Sequence, residues 1–321
     1  MKYFEILLFS CFVSFNLQCN AHINSHSSIK NYIDSIYNLE RNYAIHIDSL
    51  NDVILNKNWN EIDKVFGLYY WVSKYINYDY NSEYSEYRTS YKANAIETFN
   101  NKRGKCLEFS CLFKYLCEKE DIKNEIISGY ARRDYFQLLS GPIFEDEFSL
   151  HSWNAVYVDS DWKLVDPTNS GDDDLIEYYF DVNPKYLQLT HFPKNEYWQL
   201  TDEPIDSVTF SNLPYFSPLF FFYGFKNPNP LTRLIMVNET GSFRIKITHS
   251  INVEFIPAVL NLKTKEWKLP EYSQENHCNE TVIPVQLNEK GNYLLRIDAI
   301  IEEGRGNSYR EKGILAYYVK Y

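Results

Sequence analysis

Arg103-Gly104-Lys105-Cys106 opens the stretch that decides the fold, which runs from residue 103 to residue 166. Apolar residues recur at helical spacing after the cysteine: Phe109, Leu112, Phe113 and Leu116. The pattern predicts a helix that begins at Cys106. Free backbone N–H groups and the positive end of the helix dipole favour a thiolate at that position. Cys106 is therefore the candidate nucleophile.

A hairpin is predicted at the other end of this stretch. His151–Val158 alternates in the manner of a strand, and Trp162–Asp166 forms a second such run before a proline. Between them, Asp159-Ser160-Asp161 has the residue types of a tight turn. The two runs are therefore expected to pair as antiparallel strands.

The turn length decides which residues of this hairpin face each other. With two or three residues in the turn, Asp166 falls opposite Trp153 or Asn154 and diagonal to His151. A carboxylate in that place would orient the imidazole, and the imidazole would activate a thiol. The sequence thus predicts a Cys106, His151, Asp166 triad.

These motifs resemble the transglutaminase-like superfamily of papain-like cysteine enzymes. The matching motifs occur in the order that the family uses: Gly104-Lys105-Cys106, Tyr115-Leu116-Cys117, Glu125–Ala131, His151–Asn154 and Trp162–Thr168. Further segments resemble the kyphoscoliosis peptidase branch: His191–Leu200, Leu213-Pro214 and Ser217-Pro218. The resemblance covers about residues 60 to 321.

The resemblance implies cysteine chemistry on protein or peptide amides. Hydrolysis by a peptidase or amidase is the favoured outcome, with Cys106, His151 and Asp166 as the catalytic residues. Two alternatives stay open: a transglutaminase that crosslinks proteins, and a non-catalytic extracellular module that keeps the fold and binds a protein. Branch members that have lost triad residues suggest the second alternative.

The expected fold is α+β, with a papain-like, transglutaminase-like catalytic domain at residues 22–203. Its N-terminal part, to about residue 74, has apolar residues at helical spacing, whereas residues 80–104 show no clear period and predict a loop. Residues 132–150 predict a second loop, which walls one side of a cleft.

The pattern of residues 204–321 predicts an all-β, immunoglobulin-like sandwich. Its segments are short, rich in β-branched residues and mostly alternating: Leu234–Val237, Phe243–Ile247, Val253–Ile256, Thr281–Val285 and Tyr293–Ala299. The apolar run Leu219–Tyr223 is interpreted as the first strand. This domain is the expected docking place for a protein partner.

Residues 1–21 have the pattern of a signal peptide. Ile6–Phe15 is apolar but too short to span a bilayer, and Cys19-Asn20-Ala21 offers small residues for cleavage after Ala21. The chain is therefore expected to be secreted, or periplasmic or at the cell surface. A lipoprotein anchor at Cys11 or Cys19 is the less favoured interpretation, and no transmembrane segment is predicted.

Composition disfavours several classes of function. Asp and Glu number 43 against 32 Lys and Arg, so the net charge of -11 disfavours nucleic-acid binding. The motif Gly171-Asp172-Asp173-Asp174 lacks the spacing of a calcium loop, and the Cys and His spacing is not that of a zinc site. We therefore expect no cofactor and no metal.

Four cysteines remain after the predicted cleavage: Cys106, Cys111, Cys117 and Cys278. Three of them share one predicted helix, a geometry that does not form a disulfide framework. Cys111 and Cys117 lie within that helix and lack a preceding glycine turn, so we expect them to pack in the core.

Overall fold

The computed structural model describes residues 26–37, 46–81, 90–140, 143–145, 149–168, 173–303 and 307–321. Two compact units divide the chain. The first comprises Met1–Ile126 with Trp153–Gly171, and the second comprises Ile127–Ser152 with Asp172–Tyr321. The two units are defined by how compactly their residues pack, which does not test where the predicted domains begin and end. The predicted limits at residues 203 and 204 therefore stay predictions.

Two expectations concern the membrane and the N-terminus. No helix among the described residues has the length and apolar character needed to cross a bilayer. The predicted signal peptide at residues 1–21 lies outside the described residues, so secretion and lipid anchoring stay predictions.

The first unit is built on helices. Their bounds are α1 (residues 26–37), α2 (Leu50–Ile54), α3 (Glu61–Tyr75), α4 (Tyr91–Asn101) and α5 (Cys106–Lys119). Helix α3 begins where the Asn60 side chain accepts a hydrogen bond from the Asp63 backbone N–H at 2.8 Å. Its buried Tyr69 meets Phe113 of α5 edge to face, with ring centroids 6.3 Å apart. The helices predicted before residue 75 are confirmed.

Helix α4 corrects the prediction of a loop across residues 80–104. Ser90 caps the helix by accepting from the Ala93 backbone N–H at 3.2 Å. The side chains that α4 buries are Asn94, Ala95, Thr98 and Phe99. They lie on one face, but only two of them are apolar, so a search for apolar periodicity misses this helix.

A small sheet and a hairpin complete the first unit. Strands β1 (Asn77–Tyr78) and β2 (Arg103–Gly104) pair in parallel just before α5. Strand β3 (Asn124–Ala131) follows α5, and β4 (Leu150–Val158) pairs antiparallel with β5 (Asp161–Val165). Strands β3 and β4 each continue from one unit into the other.

The hairpin turn has two residues, the shorter of the two lengths predicted from the sequence. Val158 pairs with Asp161, so the turn contains only Asp159 and Ser160. Both have positive φ, 53° and 65°, as a type I′ turn requires. The predicted hairpin is confirmed.

Short elements lead into the second unit. Strand β6 (His191–Pro193) pairs antiparallel with β3. The helices of this unit are α6 (Asp173–Tyr178), α7 (Pro184–Leu187), α8 (Ser207–Asn212) and α9 (Pro218–Phe222).

Two sheets of the second unit form a β-sandwich. Its strands are β7 (Tyr215–Phe216), β8 (Lys226–Asn229), β9 (Leu234–Met236), β10 (Ser242–Thr248), β11 (Val253–Asn261), β12 (Trp267–Lys268), β13 (Glu271–Tyr272), β14 (Glu275–His277), β15 (Glu280–Gln286), β16 (Asn292–Glu303) and β17 (Asn307–Lys320). In the described chain, one sheet has the order β13-β15-β10-β8 with β14 on β15. The other has the order β12-β11-β16-β17-β7 with β9 on β17.

The two sheets share one apolar core. Ile245 and Ile283 of the first sheet lie in the same buried cluster as Phe255, Leu295 and Tyr317 of the second. Burial of such side chains contributes roughly 1.5–3 kcal/mol each, so this core is what holds the sheets together. The expected α+β fold with a β-sandwich is confirmed.

Helix α9 corrects the strand predicted at Leu219–Tyr223. Ser217 accepts from the Leu219 backbone N–H at 3.3 Å, and Pro218 occupies the first helical position. A Ser-Pro pair is a helix-start signal, and it outweighs an apolar run whose period favours neither state. Phe220 and Phe221 are the buried residues of this helix.

Candidate active site

Cys106 is the first residue of α5, as predicted. The helix begins there because the Lys105 carbonyl accepts from the Phe109 backbone N–H at 2.9 Å. The Glu108 carboxylate in turn accepts from the Lys105 backbone N–H at 2.8 Å. This reciprocal cap fixes the turn in which the thiol lies.

Gly104 allows the chain to approach α5 closely. A Cβ atom at this position would lie 2.7 Å from Glu108 Cβ and 3.2 Å from Thr98 Cγ2. The first distance is shorter than real Cβ contacts, and it involves a side-chain stem that cannot swing away. The glycine before Cys106 is therefore a packing requirement of the helix start.

The other two cysteines of α5 lie in the core. Cys111 and Cys117 are both fully buried, and burial is the largest cause that raises the pKa of each thiol to about 12. At pH 8 a thiol with that pKa is about 10⁻⁴ ionised, so neither is an effective nucleophile. Their predicted packing role is supported.

Asp166 directly follows β5 and is 2% exposed. Its Oδ1 accepts from the Thr168 backbone N–H at 3.0 Å, which fixes the carboxylate at the end of the hairpin. Asn154 pairs with Val165, so the next pair along the hairpin sets Trp153 opposite Asp166. This is one of the two registers that the sequence predicted.

His151 is the second residue of β4 and is 6% exposed. Its Nδ1 lies 3.5 Å from Nη2 of Arg133, which also donates to the Leu150 carbonyl at 2.9 Å. The His191 ring lies beside it, with centroids 5.2 Å apart. All four residues belong to the second unit.

Asn154 attaches β4 to α5 within the first unit. Its Nδ2 donates to the Ser110 carbonyl at 3.1 Å and to Asn124 Oδ1 at 2.8 Å. Since the amide is fully buried, each of these bonds is costly to break. Asn154 therefore holds α5 against the part of β4 that lies in the first unit.

The predicted triad residues are divided between the units. Cys106 and Asp166 lie in the first unit and His151 lies in the second, so the triad itself stays a prediction. Sequence reasoning missed the contacts of Arg133 and His191. His151 and His191 both carry imidazoles, which are common ligands of transition metals. The expected absence of a metal therefore also stays a prediction.

A family model of the transglutaminase-like superfamily matches residues 48–167. These residues form a transglutaminase-like domain. Its transglutaminase-like segment contains α5 with Cys106 and the hairpin with His151 and Asp166. The resemblance inferred from the motifs is confirmed.

Similarity to kyphoscoliosis peptidases extends beyond the transglutaminase-like segment. The chain is 29% identical to the protein of Homo sapiens over 199 residues, which are 59% of this chain and 29% of that one. It is 28% identical to the protein of Mus musculus over 277 residues, 83% of this chain and 39% of that one. The chain thus spans about a third of the length of these relatives.

Two further comparisons cover smaller parts. Hillarin of Drosophila melanogaster is 29% identical over 160 residues, which are 43% of this chain and 19% of hillarin. A candidate cysteine protease from Cytophaga hutchinsonii, known from its crystal structure, is 26% identical. It aligns with a TM-score of 0.29 over 38% of this chain and 36% of that one. The similarities to the kyphoscoliosis peptidases support the resemblance of this chain to that branch.

Proposed function

We propose that this chain is a cysteine enzyme that hydrolyses protein or peptide amides. Cys106 is the nucleophile, His151 the general base and acid, and Asp166 the group that orients the imidazole. The observation that carries this proposal is the position of Cys106 as the first residue of the 14-residue helix α5.

A helix start supports two steps of such a reaction. The N–H groups in the first turn of α5 and the helix dipole stabilise the Cys106 thiolate. The same N–H groups stabilise the oxyanion that develops on the attacked carbonyl. Cys111 and Cys117 lack this environment, since both lie inside the helix and have a raised pKa.

The proposed reaction passes through a thioester. The Cys106 sulfur forms a bond to the amide carbon, and the C–N bond breaks as His151 gives its proton to the leaving amine. Water then attacks the thioester and gives its proton to His151. The C–S bond breaks, the carboxylic acid leaves, and His151 returns the proton to the Cys106 sulfur.

A transglutaminase would differ only in the second step, where an amine replaces water. The distinguishing experiment supplies a peptide library with and without a primary amine. We expect released acid to predominate, and dominant amine incorporation would favour crosslinking. Both outcomes require the same thioester.

The second candidate is a non-catalytic module that binds a protein partner. It is favoured by the burial of Cys106, which is 2% exposed. A module of this kind would keep the fold and use the β-sandwich for docking. The two candidates differ in whether the Cys106 sulfur reacts.

Labelling with iodoacetamide tests the proposal. We expect Cys106 to be alkylated at pH 7 faster than Cys111 and Cys117, because only Cys106 lies at a helix start. Mass spectrometry of the native chain identifies the modified residue. The exposed Cys278 serves as an internal reference for an ordinary thiol.

Matched variants control this measurement. Cys106→Ala is expected to abolish the fast labelling, whereas Cys111→Ala and Cys117→Ala leave it in place. Fast labelling that persists in Cys106→Ala refutes the assignment of the nucleophile. If Cys106 of the wild-type chain reacts no faster than Cys111 and Cys117, the result favours the binding module.

A further inference from the structure

Arg132 fastens the loop after β3 to the β-sandwich unit. It is 8% exposed, and its guanidinium donates to the carbonyls of Phe210 at 3.1 Å, Ser211 at 2.8 Å and Leu213 at 2.8 Å. Two of these carbonyls lie in the last turn of α8, where the helix dipole is negative. Burial lowers the pKa of Arg132 to about 10, and the carbonyls solvate the cation in place of water.

Arg233 fastens the same loop from the opposite direction. It lies just before β9 of the sandwich, and its Nε donates to the Leu138 carbonyl at 3.0 Å. Its Nη2 donates to the Ser140 carbonyl at 2.8 Å. Residues 132–140 are therefore held at both ends by arginine-to-carbonyl hydrogen bonds.

The middle of this loop packs against the sandwich. Leu138 is fully buried in a cluster with Leu260 and Leu294. Tyr135 lies against Gly313, where a Cβ atom would come within 2.9 Å of the ring. Because Gly313 has a φ of +68°, glycine suits both the backbone and the close approach.

The interpretation of residues 132–150 as a loop that walls a cleft stays a prediction. Its described residues 132–140 are packed and hydrogen-bonded within the second unit.

Residues 132–140, which we call the docked loop, also contact His151. Gln137 Oε1 accepts from the backbone N–H of Arg133 at 2.7 Å, and Gln137 Nε2 donates to Ser149 Oγ at 3.0 Å. The Arg133 guanidinium then bonds the Leu150 carbonyl and lies 3.5 Å from His151 Nδ1. Gln137 is thus bonded to the residue before β4, and Arg133 contacts the first two residues of that strand.

We propose that Arg133 positions His151, and that the β-sandwich sets the place of Arg133 through the docked loop. This inference rests on the proposed role of His151 as the base. A guanidinium donates hydrogen bonds and never accepts them, so His151 Nδ1 is the acceptor. The neutral imidazole then carries its proton on Nε2, the nitrogen that a carboxylate would bond, and keeps its lone pair on Nδ1. The contact with Arg133 at 3.5 Å is long, so it holds this tautomer and gives way when Nδ1 accepts the Cys106 proton.

Two substitutions in the full chain test the inference. Arg133→Met removes the donor beside His151, and Arg133 is exposed, so no core packing is lost. Arg233→Met removes the hydrogen bonds from the sandwich to the Leu138 and Ser140 carbonyls without touching His151. Arg244→Met is the control, since Arg244 lies on β10 and its ion pair with Glu275, at 3.7 Å, is exposed.

The first readout is the ring nitrogen spectrum of His151, measured by NMR. We expect Arg133→Met to shift the Nδ1 resonance and to reduce the share of the Nε2–H tautomer. Arg133→Lys should restore part of this share, because an ammonium group also donates. A merely structural role for Arg133 would leave the tautomer unchanged.

The second readout is the rate of Cys106 alkylation. We expect a decrease of about 10- to 100-fold in Arg133→Met, the effect of a displaced base, and a smaller decrease in Arg233→Met. Arg244→Met should keep the wild-type rate. If Arg233→Met does not fold, Arg233→Lys takes its place.

The outcomes separate this inference from the proposed function. Unchanged His151 resonances in both Arg133→Met and Arg233→Met overturn the inference. A wild-type chain whose Cys106 does not react overturns the proposed function, while the tautomer measurement still tests the contact between Arg133 and His151.

Discussion

Substitution of His151 by glutamine is expected to lower the rate of amide hydrolysis by about 10³- to 10⁴-fold. The proposed mechanism needs an imidazole to accept a proton from Cys106 and to return it to the leaving amine, and an amide side chain does neither. Glutamine is similar in size, so the midpoint of thermal unfolding should change little. Hydrolysis of a peptide library and a melting curve measure the two quantities.

Asp166→Asn should produce a decrease of similar size, because an amide in place of the carboxylate no longer stabilises the imidazolium. His249→Gln is the matched control. His249 lies just after β10, with its nitrogens 2.9 Å from the Ile251 carbonyl and 2.9 Å from Thr281 Oγ1. Its replacement should leave hydrolysis unchanged. A His151→Gln variant that hydrolyses at the wild-type rate would contradict the triad.

Arg132→Met should have the largest effect on stability. The substitution leaves the buried carbonyls of Phe210, Ser211 and Leu213 without their donor. Unpaired buried acceptors of this kind cost about 3–5 kcal/mol in the free energy of unfolding. For a unit of this size the midpoint of thermal unfolding should fall by about 10 °C.

The control for this prediction is again Arg244→Met, because the side chain of Arg244 is 66% exposed. An exposed ion pair contributes about 0–1 kcal/mol, so the midpoint should stay within about 2 °C of the wild type. Equal midpoints for the Arg132 and Arg244 variants would show that the docked loop contributes little to stability.

Local sequence signals were sufficient for the two elements of the candidate site. The helix start at Cys106 follows from a glycine turn and an apolar period, both contained within 14 residues. The hairpin follows from alternation on both sides of a short polar turn. Such signals act over neighbouring residues, so they are readable without knowledge of the tertiary contacts.

The wrong predictions have a common cause, which is reliance on apolar composition. Helix α4 buries Asn94 and Thr98, so its inner face does not look apolar. The run of aromatic residues in α9 looked like a strand, although Ser217 and Pro218 give the start of a helix. In both cases the capping residue was present in the sequence and was the better signal.

The contacts of the docked loop could not be predicted from local sequence patterns. Arg132 and Arg233 bond backbone carbonyls, and nearly every residue carries such a carbonyl. Their partners therefore cannot be chosen from residue types. Nor does the sequence indicate that Tyr135 will meet Gly313, 178 positions away along the chain.

Motifs and local patterns were enough to predict the transglutaminase-like domain, the helix start at Cys106 and the hairpin that ends at Asp166. These depend on motifs and on the hydrogen bonds of neighbouring residues. The packing of residues 132–140 on the β-sandwich and the contact of Arg133 with His151 became visible in the three-dimensional structure alone. The physical reason is that this placement depends on burial and on backbone acceptors from distant segments, which become available only when the chain has folded.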